Sequence, residues 1–325
     1  MRHFARSLLA FTTVATLLAA GAVAPRAETY PARPIRFINP FPAGGPSDLV
    51  NRLYAQRLSQ DWNQSAVVEN RAGATGSIGT EAVVKATPDG YTLLFTVDLP
   101  IVMAPALMTL PYDPRHDLIA IAAVIDAENV LAVSPSAGIH SLAELVAVAK
   151  AKPGTLTFSS AGNGSPAHLC GEMIKYQTGI DMIHVPFTGA APAMNALLAG
   201  NVTMFCGPIA LATPYIKAGK VLALGVSGKT PSPLLPGVAP LSASYPGLTI
   251  TNWYGVMAPK ETPAPVVDKI RDEFKRIFDD PELQAKLETL GLRPSWLTGP
   301  DLAQRIADDI AKWRDFVTTT KIKAE

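Results

Sequence analysis

The 325 residues carry 28 Lys and Arg against 27 Asp and Glu, so there is no surplus of positive charge to hold a phosphate backbone, and nucleic acid is not an expected partner. A chain of this length exceeds one comfortable core, so two lobes are expected. Five histidines without paired spacing and two cysteines, Cys170 and Cys206, that fit no zinc pattern leave no metal or cofactor to expect.

Arg2, His3 and Arg6 precede an apolar run from Ser7 to Val23 that ends in small residues before Pro25, Arg26 and Glu28. The run is shorter than the roughly 20 apolar residues that cross a bilayer. Residues 1–26 are therefore read as a signal peptide and the product as a soluble protein of the periplasm. Export to an oxidising space allows a Cys170–Cys206 disulfide, and two small buried hydrophobes is the other reading.

Strands are expected at Ile35–Asn39, Ala66–Glu69, Thr92–Thr96, Val130–Val133, Leu156–Ser159, Met182–Pro186, Val202–Phe205, Leu222–Val226 and Trp253–Ala258. They alternate with helices, the pattern of an α/β fold with parallel sheets. The first helix should bury Leu49, Val50, Leu53, Tyr54 and Leu58. Ser141 with Glu144 forms a capping box, and Ser165-Pro166, Thr213-Pro214 and Thr262-Pro263 mark further helix starts. Gly179, Gly200, Gly219 and Gly291 stand where helices should stop. The Pro-rich stretch from Pro231 to Pro246 reads as a surface loop. The apolar runs Ile119–Ile125 and Val130–Val133 meet at Asp126-Ala127-Glu128-Asn129, and a second junction follows Pro246-Gly247. Two crossings divide the chain into one lobe of residues 30–126 plus 248–325 and another of 127–247.

Two glycine loops carry the functional signal. Pro40-Phe41-Pro42-Ala43-Gly44-Gly45-Pro46-Ser47-Asp48 follows the first strand and opens a helix, and Ser159-Ser160-Ala161-Gly162-Asn163-Gly164-Ser165 repeats the arrangement before the helix containing His168. Glycine bares backbone N–H groups, and a helix N-terminus at the carboxyl end of a strand attracts anions. One such loop from each lobe would grip a carboxylate from two sides.

Further words accompany them: Asn70-Arg71-Ala72-Gly73-Ala74-Thr75-Gly76, Pro88-Asp89-Gly90-Tyr91-Thr92, Tyr112-Asp113-Pro114-Arg115-His116-Asp117-Leu118, His184-Val185-Pro186-Phe187-Thr188-Gly189-Ala190-Ala191-Pro192-Ala193 and Trp253-Tyr254-Gly255-Val256-Met257-Ala258-Pro259. In this order and spacing, from Tyr30 to about Gly299, the chain resembles the Bug-type solute receptors of tripartite tricarboxylate transporters. The resemblance implies a type II periplasmic-binding-protein fold with a hinge, a small carboxylate as ligand and the membrane subunits of such a transporter as partners. It also implies that main-chain groups hold the proximal carboxylate, which carries over to Ala43, Gly44 and Gly45 on one side and Ser160, Ala161, Gly162, Gly164 and Ser165 on the other. Phe41, Ser47, Asp48 and His168 complete the two loops.

The chain departs from this family where the far end of a ligand is expected. Phe187-Thr188-Gly189 stands where aromatic-Lys-Gly is usual, Cys206 lies near a frequent acid, and the loop after Thr96 reads Val97-Asp98-Leu99-Pro100-Ile101. With fewer charges there, a monocarboxylate or aromatic acid is expected ahead of citrate-like acids. Asp98 could instead hold an ammonium or hydroxyl. The chain is expected to act as a monomer. A sensor that signals to a membrane partner would use the same fold. No enzyme motif appears; a hydrolase would have to pair Ser165 with His168 or His184.

Overall fold

The computed structural model describes residues 30–162 and 165–320, so the expected signal peptide lies outside the described residues. Residues 33–325 form one compact unit and 1–32 another, of which only 30–32 are described. No described helix is long and apolar enough to cross a membrane.

The first third of the chain runs β1 (Ile35–Asn39), α1 (Pro46–Trp62), β2 (Ala66–Asn70), α2 (Ser77–Val84), β3 (Thr92–Val97) and the long β4 (Leu118–Val133). Next come α3 (Leu142–Ala151), β5 (Thr157–Ser160), α4 (Pro166–Thr178), β6 (Ile183–Pro186), α5 (Ala190–Leu198), β7 (Met204–Pro208), α6 (Ile209–Lys217) and β8 (Leu222–Val226). The chain closes with β9 (Thr251–Pro259), α7 (Ala264–Phe278), α8 (Pro281–Thr289), β10 (Leu292–Thr298) and α9 (Gly299–Thr320).

The strands follow the order β2-β1-β3-β9-β4-β7-β5-β6, with β10 and β8 also pairing with β4. Pairing is parallel within β2-β1-β3 and β7-β5-β6, as the alternation of strands and helices implies. It is antiparallel wherever β4 or β9 takes part, which the expectation of parallel sheets omitted. The two apolar runs on either side of Asp126 to Asn129 are one strand. Its first part pairs with β9 and β10, and Asn129–Val133 pair with β7 and β8.

The local signals hold in most places. Ser141 Oγ accepts the Glu144 N–H at 3.1 Å, while the Glu144 carboxylate takes the N–H of His140 rather than of Ser141, at 2.8 Å. Ser141→Ala is expected to lower stability by about 1 kcal/mol in urea melts. Gly179, Gly200, Gly219 and Gly291 all adopt the positive φ of helix ends. Thr213-Pro214 does not start a helix: it lies inside α6, where the Thr213 hydroxyl bonds back to the Ile209 carbonyl. Helix α1 buries Ser47, Val50, Asn51, Tyr54 and Leu58, whereas Leu49 is 40% exposed, because the inward stripe is set one position further along. Strand β10 escaped notice because Pro294 breaks its pattern; it pairs only with β4, the edge placement that a proline tolerates.

Cys170 on α4 and Cys206 on β7 are joined in a disulfide with a Cα–Cα separation of 6.1 Å. Both are fully buried in the larger core cluster, beside Phe158, Leu169 and Met204.

Candidate functional site

The first loop leaves β1 at Asn39 and enters α1 at Pro46, with Gly45 as an N-cap that provides no side-chain bond. Asp48 braces it from within. Its carboxylate accepts the Gly44 N–H at 2.9 Å, Asn70 Nδ2 at 3.0 Å and Arg52 Nε at 3.0 Å. Burial alone would raise the Asp48 pKa, but these hydrogen bonds outweigh it and hold the carboxyl below its ordinary value. Asn70 Nδ2 also donates to the Phe41 carbonyl at 3.0 Å, so one side chain ties both ends of the turn. Ser47 Oγ donates to Asn39 Oδ1 at 3.1 Å. Of the first-loop candidates, Ala43 and Gly44 are exposed and Phe41 and Gly45 half-buried, whereas Ser47 and Asp48 turn inward as supports.

The loop is also held from beneath. Gly79 of α2 approaches so closely that a Cβ there would lie 2.8 Å from both the Pro40 Cα and the Arg71 carbonyl. Ala74 and Thr75 adopt positive φ of 45° and 58°, which costs a non-glycine residue about 1–2 kcal/mol. They lead into Gly76, which packs near the Phe41 ring and Pro100. Asn70, Ala74 and Thr75 were visible only as parts of a motif; what brings them to the site is the return of β2 alongside β1.

The second loop is built on β5 and β6. The Phe187 N–H donates to the Ser160 carbonyl at 3.0 Å, and a Cβ on Gly162, whose φ is 117°, would lie 3.4 Å from the Phe187 carbonyl. Ser160, Ala161 and Gly162 therefore adjoin Phe187, Thr188 and Gly189. Phe187 is half-buried and Thr188 exposed. Ser165 caps α4 by accepting the His168 N–H at 3.2 Å. Gly164 lies outside the described residues. The serine within reach of a histidine nitrogen is not Ser165 but Ser160, whose Oγ is 2.6 Å from His184 Nε2.

Three residues expected toward the ligand's far end face the interior as well. Thr96 is fully buried, its Oγ1 donating to the Val97 carbonyl at 2.8 Å. Cys206 is sealed in its disulfide, so its sulfur has no thiol to offer. Asp98 is 2% exposed and accepts Asn252 Nδ2 at 2.9 Å; burial pushes its pKa up to about 7. Leu99 and Ile101 belong to the core, not to an open apolar wall.

Behind Asp98, α9 is pinned to the segments on which the crossings were expected. Arg305 Nη2 donates to Asp126 Oδ1 at 2.7 Å and to Thr251 Oγ1 at 3.3 Å, and Lys312 Nζ donates to the Thr249 carbonyl at 2.5 Å. Arg293 reaches Glu128 Oε1 at 3.3 Å and Thr230 Oγ1 at 2.7 Å. These groups line a cavity of about 740 Å³.

The mixed α/β fold is that of solved periplasmic binding proteins. BugD, a periplasmic binding protein, matches with a TM-score of 0.74 and 32% identity over 91% of this chain and all of its own. Rpa4515 of R. palustris, solved with adipate, matches with a TM-score of 0.76 and 29% identity over 90% of this chain and 99% of its own. MatC from Rhodopseudomonas palustris, solved with bound malate, gives 0.72 and 29% over 89% of this chain and all of its own. The sequence profile of the tripartite tricarboxylate transporter family receptors matches residues 50–322, and the chain belongs to that family. It is thus a solute-binding receptor by family and fold.

Proposed function

We propose that this receptor works in the periplasm, captures a small carboxylate between lobes of residues 30–126 plus 248–325 and 127–247, and delivers it as a monomer to the membrane subunits of a tripartite transporter. The observation that carries the reading is the pair of glycine turns, each leaving the carboxyl end of a parallel strand and opening a helix, with no Lys or Arg in either. Backbone N–H groups and helix N-termini suit an anion at such a place. The adipate and malate of the structural neighbours are both carboxylates. A disulfide is at home in an oxidising compartment, in keeping with export.

For the ligand's far end the reading favours a monocarboxylate or aromatic acid. Phe41 and Phe187 are half-buried beside their loops, and Thr188 brings no charge to meet a second carboxylate. A buried charge left without a partner costs several kcal/mol, about the gap between millimolar and micromolar binding.

A thermal-shift screen of aromatic acids, short monocarboxylates, dicarboxylates and citrate tests this. A ligand at about 100 times its dissociation constant adds roughly 2.7 kcal/mol. The largest shift is expected from an aromatic or monocarboxylic acid; a largest shift from citrate or a dicarboxylate, with none from aromatic acids, would overturn the ligand class. Gly44→Val and Gly162→Val should each abolish the shift in a protein that still folds. Both glycines have positive φ, 80° and 117°, which valine resists, and nothing lies within 4 Å of a Cβ at Gly44. Wild-type affinity in either folded variant would remove that loop from the site.

A further inference from the structure

Ser160 is fully buried at the end of β5, and its hydroxyl is the meeting point of three groups. Its Oγ accepts the Gly162 N–H at 3.1 Å, stands 3.1 Å from the Gly162 carbonyl and is 2.6 Å from His184 Nε2. A hydroxyl has one proton to give. It can go to the carbonyl or to the imidazole, and the imidazole is the nearer. The Gly162 carbonyl already receives the Ser165 N–H at 3.2 Å.

The imidazole is held for this contact. His184 is paired with Phe158 across β5 and β6. Its ring stacks on Phe158 at 4.8 Å and on His168 at 4.0 Å between centroids, nearly parallel to both. Burial, then the neighbouring His168 and Lys175, lower its pKa to about 4. Near neutral pH the ring is therefore uncharged, and one nitrogen is free of a proton.

We infer that His184 is a positioning residue of the carboxylate site: its Nε2 accepts a hydrogen bond from the Ser160 hydroxyl and so fixes the turn from Ser160 to Gly162 that carries the backbone donors. The inference rests on the carboxylate reading above for its purpose, and on the Ser160–His184 contact for its geometry. Without the imidazole, the hydroxyl turns to the Gly162 carbonyl within the same turn, and the turn loses its tie to β6. Neutral His184 must then carry its proton on Nδ1.

The test uses the full exported protein and benzoate, an aromatic monocarboxylate of the class favoured above, as the probe. Histidine nitrogen shifts of the ligand-free protein at pH 7 should show His184 protonated on Nδ1 with Nε2 accepting. His184→Phe keeps an aromatic ring in the stack and removes the acceptor. It should weaken benzoate binding by roughly tenfold or more, the loss expected when the turn gives up a buried hydrogen bond that holds it in place. His184→Gln, whose carboxamide oxygen can accept, should recover most of the affinity, and Ser160→Ala should add little loss in the His184→Phe background. A proton on Nε2 in the ligand-free protein, or wild-type affinity in His184→Phe, overturns the inference. If the wild type fails to bind benzoate, the choice of ligand is at fault, and the tautomer alone decides the role of His184.

Discussion

Asp98→Asn should make the protein more stable at pH 8 and change it little at pH 4. The Asp98 carboxyl is buried against Asn252, and its pKa stands at about 7 against an ordinary 3.8. Burial is the main cause; nearby Asp309 adds to it, while the Asn252 hydrogen bond and Arg305 oppose it. Below the unfolded value the group is protonated in both states and costs nothing. As pH rises from about 4 to about 7 the unfolded chain releases this proton while the folded protein retains it, so stability falls across that window and then levels. Above pH 7 the folded protein carries a buried carboxylate. A shift of this size corresponds to at most about 4 kcal/mol. The carboxamide keeps an oxygen for Asn252 and has no charge to bury. Denaturant melts of both proteins at pH 4 and pH 8 check this, and an equal difference at the two pH values would contradict it. Because Asp98 faces inward, the substitution should leave carboxylate affinity nearly unchanged.

The second large effect is expected from the disulfide. Replacing Cys170 and Cys206 together by Ala frees a loop spanning a sequence separation of 36, which by chain entropy alone removes about 3–4 kcal/mol. In a chain of this size that lowers the melting temperature by roughly 5 °C. Both sulfurs are fully buried, so a reductant should act on the native protein only slowly, as local opening exposes the bond. Differential scanning calorimetry of the double variant against the oxidised wild type reads the effect. A change below about 1 kcal/mol would mean that α4 is held to β7 by packing alone. The bond also fixes the helix that begins at Ser165, so the variant should bind its ligand more weakly.

The parts of the fold that the sequence made legible are those governed by short-range chemistry. Ser141 and Glu144, the cap at Ser165 and the terminal glycines act within a few residues, and their roles survive in the structure. The two glycine loops were legible for the same reason, as turns between a strand and a helix. What the sequence hid depends on partners far along the chain. Nothing local to Asp98 announces Asn252, which is 154 residues away, and an acid at the end of a strand looks like a ligand group until β9 is laid beside β3. Cys206 was placed with the ligand residues, and whether it would bond Cys170 depended on α4 bringing the two together. Nothing local to His184 points to Ser160, which is 24 residues away, and their contact is what gives the ring its task. Asp126 and Glu128 suggested a break between two strands, yet their side chains are met by Arg305 and Arg293 while the backbone runs on unbroken.

That unbroken run has a consequence for how the molecule can come apart. Strand β4 contributes its residues to both groups of neighbours, β9 and β10 toward its start, β7 and β8 toward its end. Detaching either group would leave half of one strand with bare N–H and C=O groups, an edge that invites pairing with other chains. Neither half of the sheet is therefore a module that can be cut away and kept. Motion between the halves that keeps these pairings must take the form of bending and twisting along β4, because sliding either group past the strand would break that group's ladder.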